Sequence, residues 1–338
     1  MWKKVLGSLL LLVIAVVGGG LAYLYFKPVN MRAASGITIE RTPERLARGN
    51  YLFNHMTGCV DCHSPVDEKR FGYPVIPGSQ GKGKVVIPGP GMPGTIVAPN
   101  ITPDPETGAG RWTDGQLLRA IREGIGHDGR VLFPMMPYTE FRNLSDEDVY
   151  SIIAYVRTLP QASSSLPATT VKFPVNLFIK SAPSPVDSVP QPNRADPVAW
   201  GRYLTTIGGC KFCHSPVEND GSPVKGKEFS GGHEFELAPG ARAVTPNLTP
   251  DRETGIGTWS ESEWLEKFAQ YRDYAANGSP VVEPNMNTAM PWLIFSNLEP
   301  DDLRAIFAYL KTVPAVKNAV VTHPDAPEEK RAREKGAQ

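Results

Sequence analysis

Every cysteine in the 338-residue chain lies in one of two pentapeptides, Cys59-Val60-Asp61-Cys62-His63 and Cys210-Lys211-Phe212-Cys213-His214. The C-x-x-C-H spacing suits covalent haem attachment. Both sulfurs add to the haem vinyl groups as thioethers, and the histidine that follows offers an axial imidazole to the iron. Disulfides, a zinc site and a Cys-X-X-Cys redox pair also use closely spaced cysteines. None of these explains a histidine placed directly after the second cysteine twice. The sequence therefore predicts two covalently attached haem c groups, on Cys59, Cys62 and His63 and on Cys210, Cys213 and His214.

An electron carrier needs iron that changes oxidation state without changing ligands, so a second axial group must close each site. The candidates are Met136 and Met290, each followed by Pro and an aromatic residue, Tyr138 or Trp292. Met135 aligns with Ala289, and Met286 has no counterpart with suitable flanks. A lone methionine is ordinarily a flexible filler of apolar space. Two in matching register point instead to His/Met ligation, which raises the reduction potential. His55, His127 and His233 have no histidine counterpart in the other copy, and His323 sits near the end of the chain. These four read as surface or loop residues, with His127 in a Gly-His-Asp-Gly turn. Tyr51, Trp112, Tyr203 and Trp259 read equally well as haem-packing groups or as plain core.

The elements that carry these residues occur twice. Gly49-Asn50-Tyr51-Leu52 matches Gly201-Arg202-Tyr203-Leu204. Pro99-Asn100-Ile101-Thr102-Pro103-Asp104 matches Pro246-Asn247-Leu248-Thr249-Pro250-Asp251, and Ala154-Tyr155 matches Ala308-Tyr309. Order is preserved and the offset drifts by only a few residues. Each copy should open with a capped helix at Thr42-Pro43 or Asp196-Pro197 that runs into the haem motif. A long Gly/Pro loop ends in the Asn-x-Thr-Pro-Asp turn. A middle helix follows Trp112-Thr113, with Leu117, Leu118, Ile121 and Ile125 at helical spacing, or follows Trp259-Ser260. The methionine loop comes next. A last helix follows Ser145, its face built from Val149, Ile152, Ile153 and Val156; Leu303, Ile306, Phe307 and Leu310 form the matching face.

Lys3 and Lys4 precede an apolar run from Val5 to Phe26, closed by Lys27-Pro28. The length suits a membrane-spanning helix, and Tyr23 and Tyr25 suit the membrane interface. A cleaved signal peptide would have a shorter apolar region and an A-x-A-like site. The flanking lysines predict a cytoplasmic amino terminus and an outer location for the rest. With 33 prolines and 32 glycines, the remainder should be short helices and ordered loops rather than a large sheet. The 35 basic and 35 acidic side chains balance, so no global field favours nucleic acid.

The expected fold is mostly α, a transmembrane helix followed by two tandem helical domains. The boundaries are 1–30 anchor, 40–160 first domain, 161–192 linker, 193–316 second domain and 317–338 charged, mobile tail. The linker's apolar middle, Val171 to Ile179, should pack on a lobe or a partner. The second domain is the more acidic, which suits a basic partner.

These motifs, with helices carrying Gly49, Tyr51 and Tyr155 and their counterparts Gly201, Tyr203 and Tyr309, resemble class I cytochrome c domains. The run Asn100 to Asp104 with Gly110-Arg111-Trp112 and Met136-Pro137-Tyr138 resembles the cytochrome c subunits of membrane-bound bacterial alcohol and gluconate dehydrogenases. Those subunits usually carry three haem motifs and anchor near the carboxyl terminus, unlike this chain. The resemblance implies a non-catalytic electron carrier on the periplasmic side of a bacterial inner membrane. It would pass electrons from a periplasmic donor, such as a dehydrogenase, to a respiratory acceptor, its redox partners being a dehydrogenase and/or a terminal oxidase or quinol-oxidising complex. A dihaem peroxidase and a fixed dihaem subunit of a terminal oxidase are the alternatives.

Overall fold

A computed structural model describes residues 2–86, 94–218 and 221–328. The first element, α1 (Trp2–Phe26), is one unbroken apolar helix with no buried residue, long and apolar enough to cross a membrane. At ~1.5 Å per residue its 25 residues exceed the ~30 Å of a bilayer's hydrocarbon core.

Beyond α1 the same arrangement is built twice. In the first half come α2 (Pro43–Tyr51), α3 (Cys59–Cys62), α4 (Asp114–Glu123), α5 (Tyr138–Phe141) and α6 (Asp146–Val156). A one-residue-wider π turn, Leu52–Met56, joins α2 to the haem motif. After α7 (Val175–Phe178) the second half repeats the series with one added helix, α11. It comprises α8 (Pro197–Ile207), α9 (Cys210–Cys213), α10 (Glu261–Ala269), α11 (Arg272–Asn277), α12 (Trp292–Phe295) and α13 (Pro300–Leu310). The predicted starts hold, because each has a side chain that satisfies an orphan helix N–H. Thr42 accepts from Arg45, Asp196 from Val198 and Ala199, and Ser145 from Asp148. Thr113 with Gln116, and Ser260 with Glu263, form reciprocal capping boxes.

In each half the opening and closing helices cross at a glycine. A methyl group at Gly49 would overlap the Ser151 carbonyl of α6, and one at Gly201 would overlap the Ala305 carbonyl of α13. Only a residue without a side chain lets the two backbones meet this closely. The apolar core gathers around these crossings, with Leu52, Val149, Ile153, Leu204, Leu303 and Leu310 fully enclosed.

One sequence expectation is filled in and three need correction. First, among the described residues there is no large sheet, but the loops also hold short strands. β1 (Lys84–Val86) pairs antiparallel with β2 (Gly94–Ala98), with Val85 opposite Val97, and β3 (Thr170–Val171) extends the sheet beyond β2. A second ladder joins β4 (Glu234–Ala238) to β5 (Ala241–Val244). Short runs form these strands, β-branched in β1 to β3 but not in β4 and β5; they are too brief to stand out beside the glycines and prolines. Second, Ile125 lies past the end of α4, which stops at left-handed Gly124, and it is buried in a bridge with Val131. Third, the connector is not a plain extended linker. It supplies β3 and α7, and its apolar middle packs beside α1 and leaves Phe173 and Phe178 exposed. Fourth, the start of the tail is docked. Val320 and Ala326 are buried, Asp325 pairs with Arg242, and Val244 N–H donates to the Thr322 carbonyl. Residues 329–338 lie outside the described residues.

Candidate haem-binding sites

Each cysteine pair sits on a single helical turn, so the two sulfurs, three residues apart, share one face. Left-handed Gly58 and Gly209 start these turns, at φ +63° and +70°. Each histidine ends its turn, and both are buried.

A carbonyl from the distant Asn-x-Thr-Pro-Asp turn fixes each imidazole. His63 Nδ1 donates to Pro99 O at 2.8 Å, and His214 Nδ1 donates to Pro246 O at 3.0 Å. A carbonyl only accepts, so the proton sits on Nδ1 and the Nε2 lone pair is left available. This is the partner a metal-bound histidine ordinarily has on its far nitrogen. Burial pushes both imidazoles below the usual histidine range, His214 to about 4, which keeps the rings neutral as a ligand must be.

Glycine makes this latch possible. Gly83 and Gly231 return N–H groups to the carbonyls of His63 and His214, each at 2.8 Å. Both have positive φ, and a Cβ on either would lie about 2.5 Å from backbone of the Pro99-Asn100 or Pro246-Asn247 segment. Each turn is braced from within. Asn100 Oδ1 accepts from the Thr102 N–H and hydroxyl, and Asn247 does the same for Thr249. The Thr107 N–H and hydroxyl donate to Asp104, and those of Thr254 to Asp251, which holds both carboxyls below the usual range. Serine adds another brace: Ser64 Oγ accepts from Gly81, and Ser215 Oγ from Phe229.

Met136 and Met290 are half-buried and border the same apolar cluster as Cys59 and Cys210, whereas Met135 and Met286 do not. Each is followed by a proline that precedes a one-turn helix, α5 or α12, with nearly the same proline backbone angles (φ −81°, ψ 50° and φ −77°, ψ 62°). Trp112 and Trp259 also border this cluster.

The donor set fits covalent haem and fits the alternatives poorly. All four thiols are free. Burial pushes them up to about 11 for Cys59 and Cys213 and about 12 for Cys62 and Cys210, the opposite of an activated redox pair. Cys62 is the one of the four that is exposed. Among the described residues, no cluster of three or more His, Cys, Asp or Glu side chains converges as a zinc site would require.

Sequence reasoning missed the contact between the halves. Tyr51 Oη donates to Asp302 Oδ2 at 2.7 Å, and Tyr203 Oη donates to Asp148 Oδ2 at 2.6 Å. In return, the Glu299 N–H donates to Tyr51 Oη and the Ser145 N–H to Tyr203 Oη. Matched residues therefore exchange matched bonds, as across an approximate two-fold axis. The exception is informative. Arg48 pairs with Asp148 through two bonds, at 2.8 and 2.9 Å, while its counterpart Trp200 gives Asp302 one indole N–H at 2.7 Å. The Arg48 guanidinium also lies 5.3 Å from the Tyr51 ring and 5.6 Å from Trp200. Of these residues the repeat marks only Tyr51 and Tyr203, which read from sequence as haem-packing groups or plain core.

The same contact brings the haem motifs together. A methyl at Gly208, two residues before Cys210, would lie 3.1 Å from Cε of Met56, three residues before Cys59. The segment after His63 also buttresses the second methionine loop: Gly72 N–H donates to Asn287 Oδ1 at 2.8 Å, and Asn287 Nδ2 donates to Arg70 O at 3.1 Å. Of the unmatched histidines, His127 is exposed against Trp112. His233 stacks on Phe235, and His323 Nε2 meets the Asn287 carbonyl. His55 is half-buried beside Tyr51, and burial pushes its imidazole down against the Ile294 carbonyl that supports it.

Comparison with known proteins agrees with this chemistry. The cytochrome c family profile matches residues 46–160. A dihaem cytochrome c-type protein of Cereibacter sphaeroides is 30% identical over 80% of this chain and 86% of its own length. The cytochrome c subunit of a quinone-dependent alcohol dehydrogenase of Gluconobacter oxydans is 31% identical over 80% of this chain, which spans 55% of that relative. The gluconate 2-dehydrogenase cytochrome c subunit of Pantoea cypripedii is 31% identical over 79% of this chain and 59% of its own length.

Proposed function

The chain belongs to the class I c-type cytochromes, and from that premise we propose that it is a membrane-anchored dihaem electron relay. Residues 40–160 and 193–316 form two tandem cytochrome c domains. Cys59 and Cys62 would hold one haem through thioethers, and Cys210 and Cys213 the other. His63 and Met136 would ligate the first iron, and His214 and Met290 the second. Bound there, each haem supplies a one-electron iron couple.

The carrying observation is the repeated latch, in which a glycine-spaced turn aims a proline carbonyl at Nδ1 of each motif histidine. It fixes the tautomer and the ring orientation and keeps Nε2 free to bind a metal. The methionine thioethers favour the reduced state, and the surrounding apolar cluster limits water. Closing both iron faces with protein ligands favours electron carriage over peroxide turnover, which needs an open position.

The relatives named as dehydrogenase subunits make a periplasmic dehydrogenase the favoured donor and a membrane-bound respiratory component the acceptor. Lys3 and Lys4 favour a cytoplasmic amino terminus, with α1 crossing a bacterial inner membrane and both haem domains on the periplasmic side. The test is to replace each methionine separately in the holoprotein. Met136→Ala and Met290→Ala should each lower the potential of one centre and abolish its sulfur-to-iron absorption band, leaving the other centre unchanged. Unaltered spectra and potentials in both variants would overturn the ligand assignment.

A further inference from the structure

The apolar middle of the connector is held at the outer end of α1. Lys180 Nζ donates to the Tyr25 carbonyl at 2.8 Å, and Lys27 Nζ donates to Ser181 Oγ at 3.4 Å. Lys180 thereby serves one of the carbonyls that the last turn of α1 leaves without a helical partner, at the end where a cation is favoured. α7 packs against α1 in the same place. Its Leu177 is buried, while Phe173 and Phe178 are 65% and 53% exposed. Tyr23, Tyr25 and Phe26 at the end of α1 are likewise exposed. Exposed aromatic rings therefore occur both at the end of α1 and on the connector that is tied to it.

We propose that residues 172–180 form a second membrane contact, with Phe173 and Phe178 seated at the headgroup–acyl boundary of the bilayer that α1 spans. The proposal rests on reading α1 as a membrane helix. The position of the segment argues for lipid over a partner protein. Tied to Tyr25 and Lys27, it lies at the depth where hydrocarbon gives way to headgroups, and where aromatic rings are favoured. Lys172, Lys27 and Lys180 flank the rings with cations of the sign that anionic phospholipids attract. The chain after α1 is fastened too: Arg32 pairs with Glu123 and Asp187, each at 3.0 Å, and Ile39 N–H donates to Asp114. A second contact point therefore sets the tilt of both haem-bearing halves over the membrane, where α1 alone would let them swivel.

Photocrosslinking in the full-length holoprotein tests this. p-Benzoylphenylalanine replaces Phe173, Phe178, Leu12 in α1 or Val281, which is 68% exposed in the second half. Each variant is placed in vesicles of phosphatidylethanolamine and phosphatidylglycerol, irradiated and analysed by mass. Phospholipid adducts at 173 and 178 comparable with those at 12, and none at 281, support the proposal. Adducts at 12 with none at 173 and 178, or adducts from 173 or 178 to a second copy of the chain, overturn it and leave the anchor standing. Absence of adducts at 12 as well overturns the anchor and the proposal with it.

Discussion

Removing the Tyr51 hydroxyl tests the contact between halves most sharply, because the two matched tyrosines are not equally supported. Asp302 is 5% exposed, and its direct hydrogen bonds come from Tyr51 and Trp200 alone among the described residues. Asp148 is 1% exposed but keeps two bonds from Arg48 when Tyr203 is lost. A hydrogen bond to a buried charge contributes ~1.5–3 kcal/mol net. Tyr51→Phe leaves a carboxylate without an ion-pair partner in contact and should fall at the top of that range; Tyr203→Phe should fall at the bottom. With roughly 2–4 °C lost per kcal/mol in a unit of 150–250 residues, Tyr51→Phe should lower the midpoint by about 6–12 °C and Tyr203→Phe by about half as much. Urea and thermal unfolding of the holoprotein, followed by far-UV circular dichroism, reads both changes. Equal losses, or a greater loss for Tyr203→Phe, would refute the claim that Arg48 divides the two sites.

Other expectations follow from the same contacts. Burial and the facing carboxylates push the Tyr51 and Tyr203 phenols above their ordinary value, so the unfolded chain ionises first and stability should fall as pH rises past about 10. The Tyr51→Phe/Tyr203→Phe double variant should lose that alkaline slope in denaturation measured against pH. The Asp104 and Asp251 carboxyls are held low by Thr107 and Thr254, so their contribution is complete above about pH 4 and lost as pH falls through the folded value. Asp104→Asn should flatten this acid limb, read by the same unfolding curves between pH 2 and 5. Gly231→Ala forces a Cβ into the Pro246-Asn247 backbone at positive φ, a strain of at least ~1–2 kcal/mol. It should loosen the His214 latch and shift the potential of that centre while leaving the other alone; spectroelectrochemistry of the variant checks this.

Much of the architecture was legible because the chain says it twice. Helix starts at Thr42, Thr113, Ser145, Asp196 and Ser260 are local signals, each a side-chain acceptor placed before an amphipathic run. Cys-x-x-Cys-His needed no tertiary information. The proline carbonyls did, since a backbone oxygen leaves no mark in residue type. The matched glycines Gly83 and Gly231 were the available clue, lying in corresponding places between motif and turn. The roles of Tyr51, Tyr203, Asp148 and Asp302 were hidden because a bond between halves has no fixed sequence spacing. The docked tail escaped notice because its charge suggested solvation, whereas Asp325 answers one particular arginine, Arg242.

The central claim is covalent haem at both cysteine pairs, and intact-mass analysis of the denatured protein measures it directly. Protein matured in a host that attaches haem c should carry the mass of two iron porphyrins, which survive acid extraction. Cys59→Ala/Cys62→Ala and Cys210→Ala/Cys213→Ala should each retain one. A denatured chain bearing no porphyrin, or a single porphyrin lost only with one of the two pairs, would contradict the account.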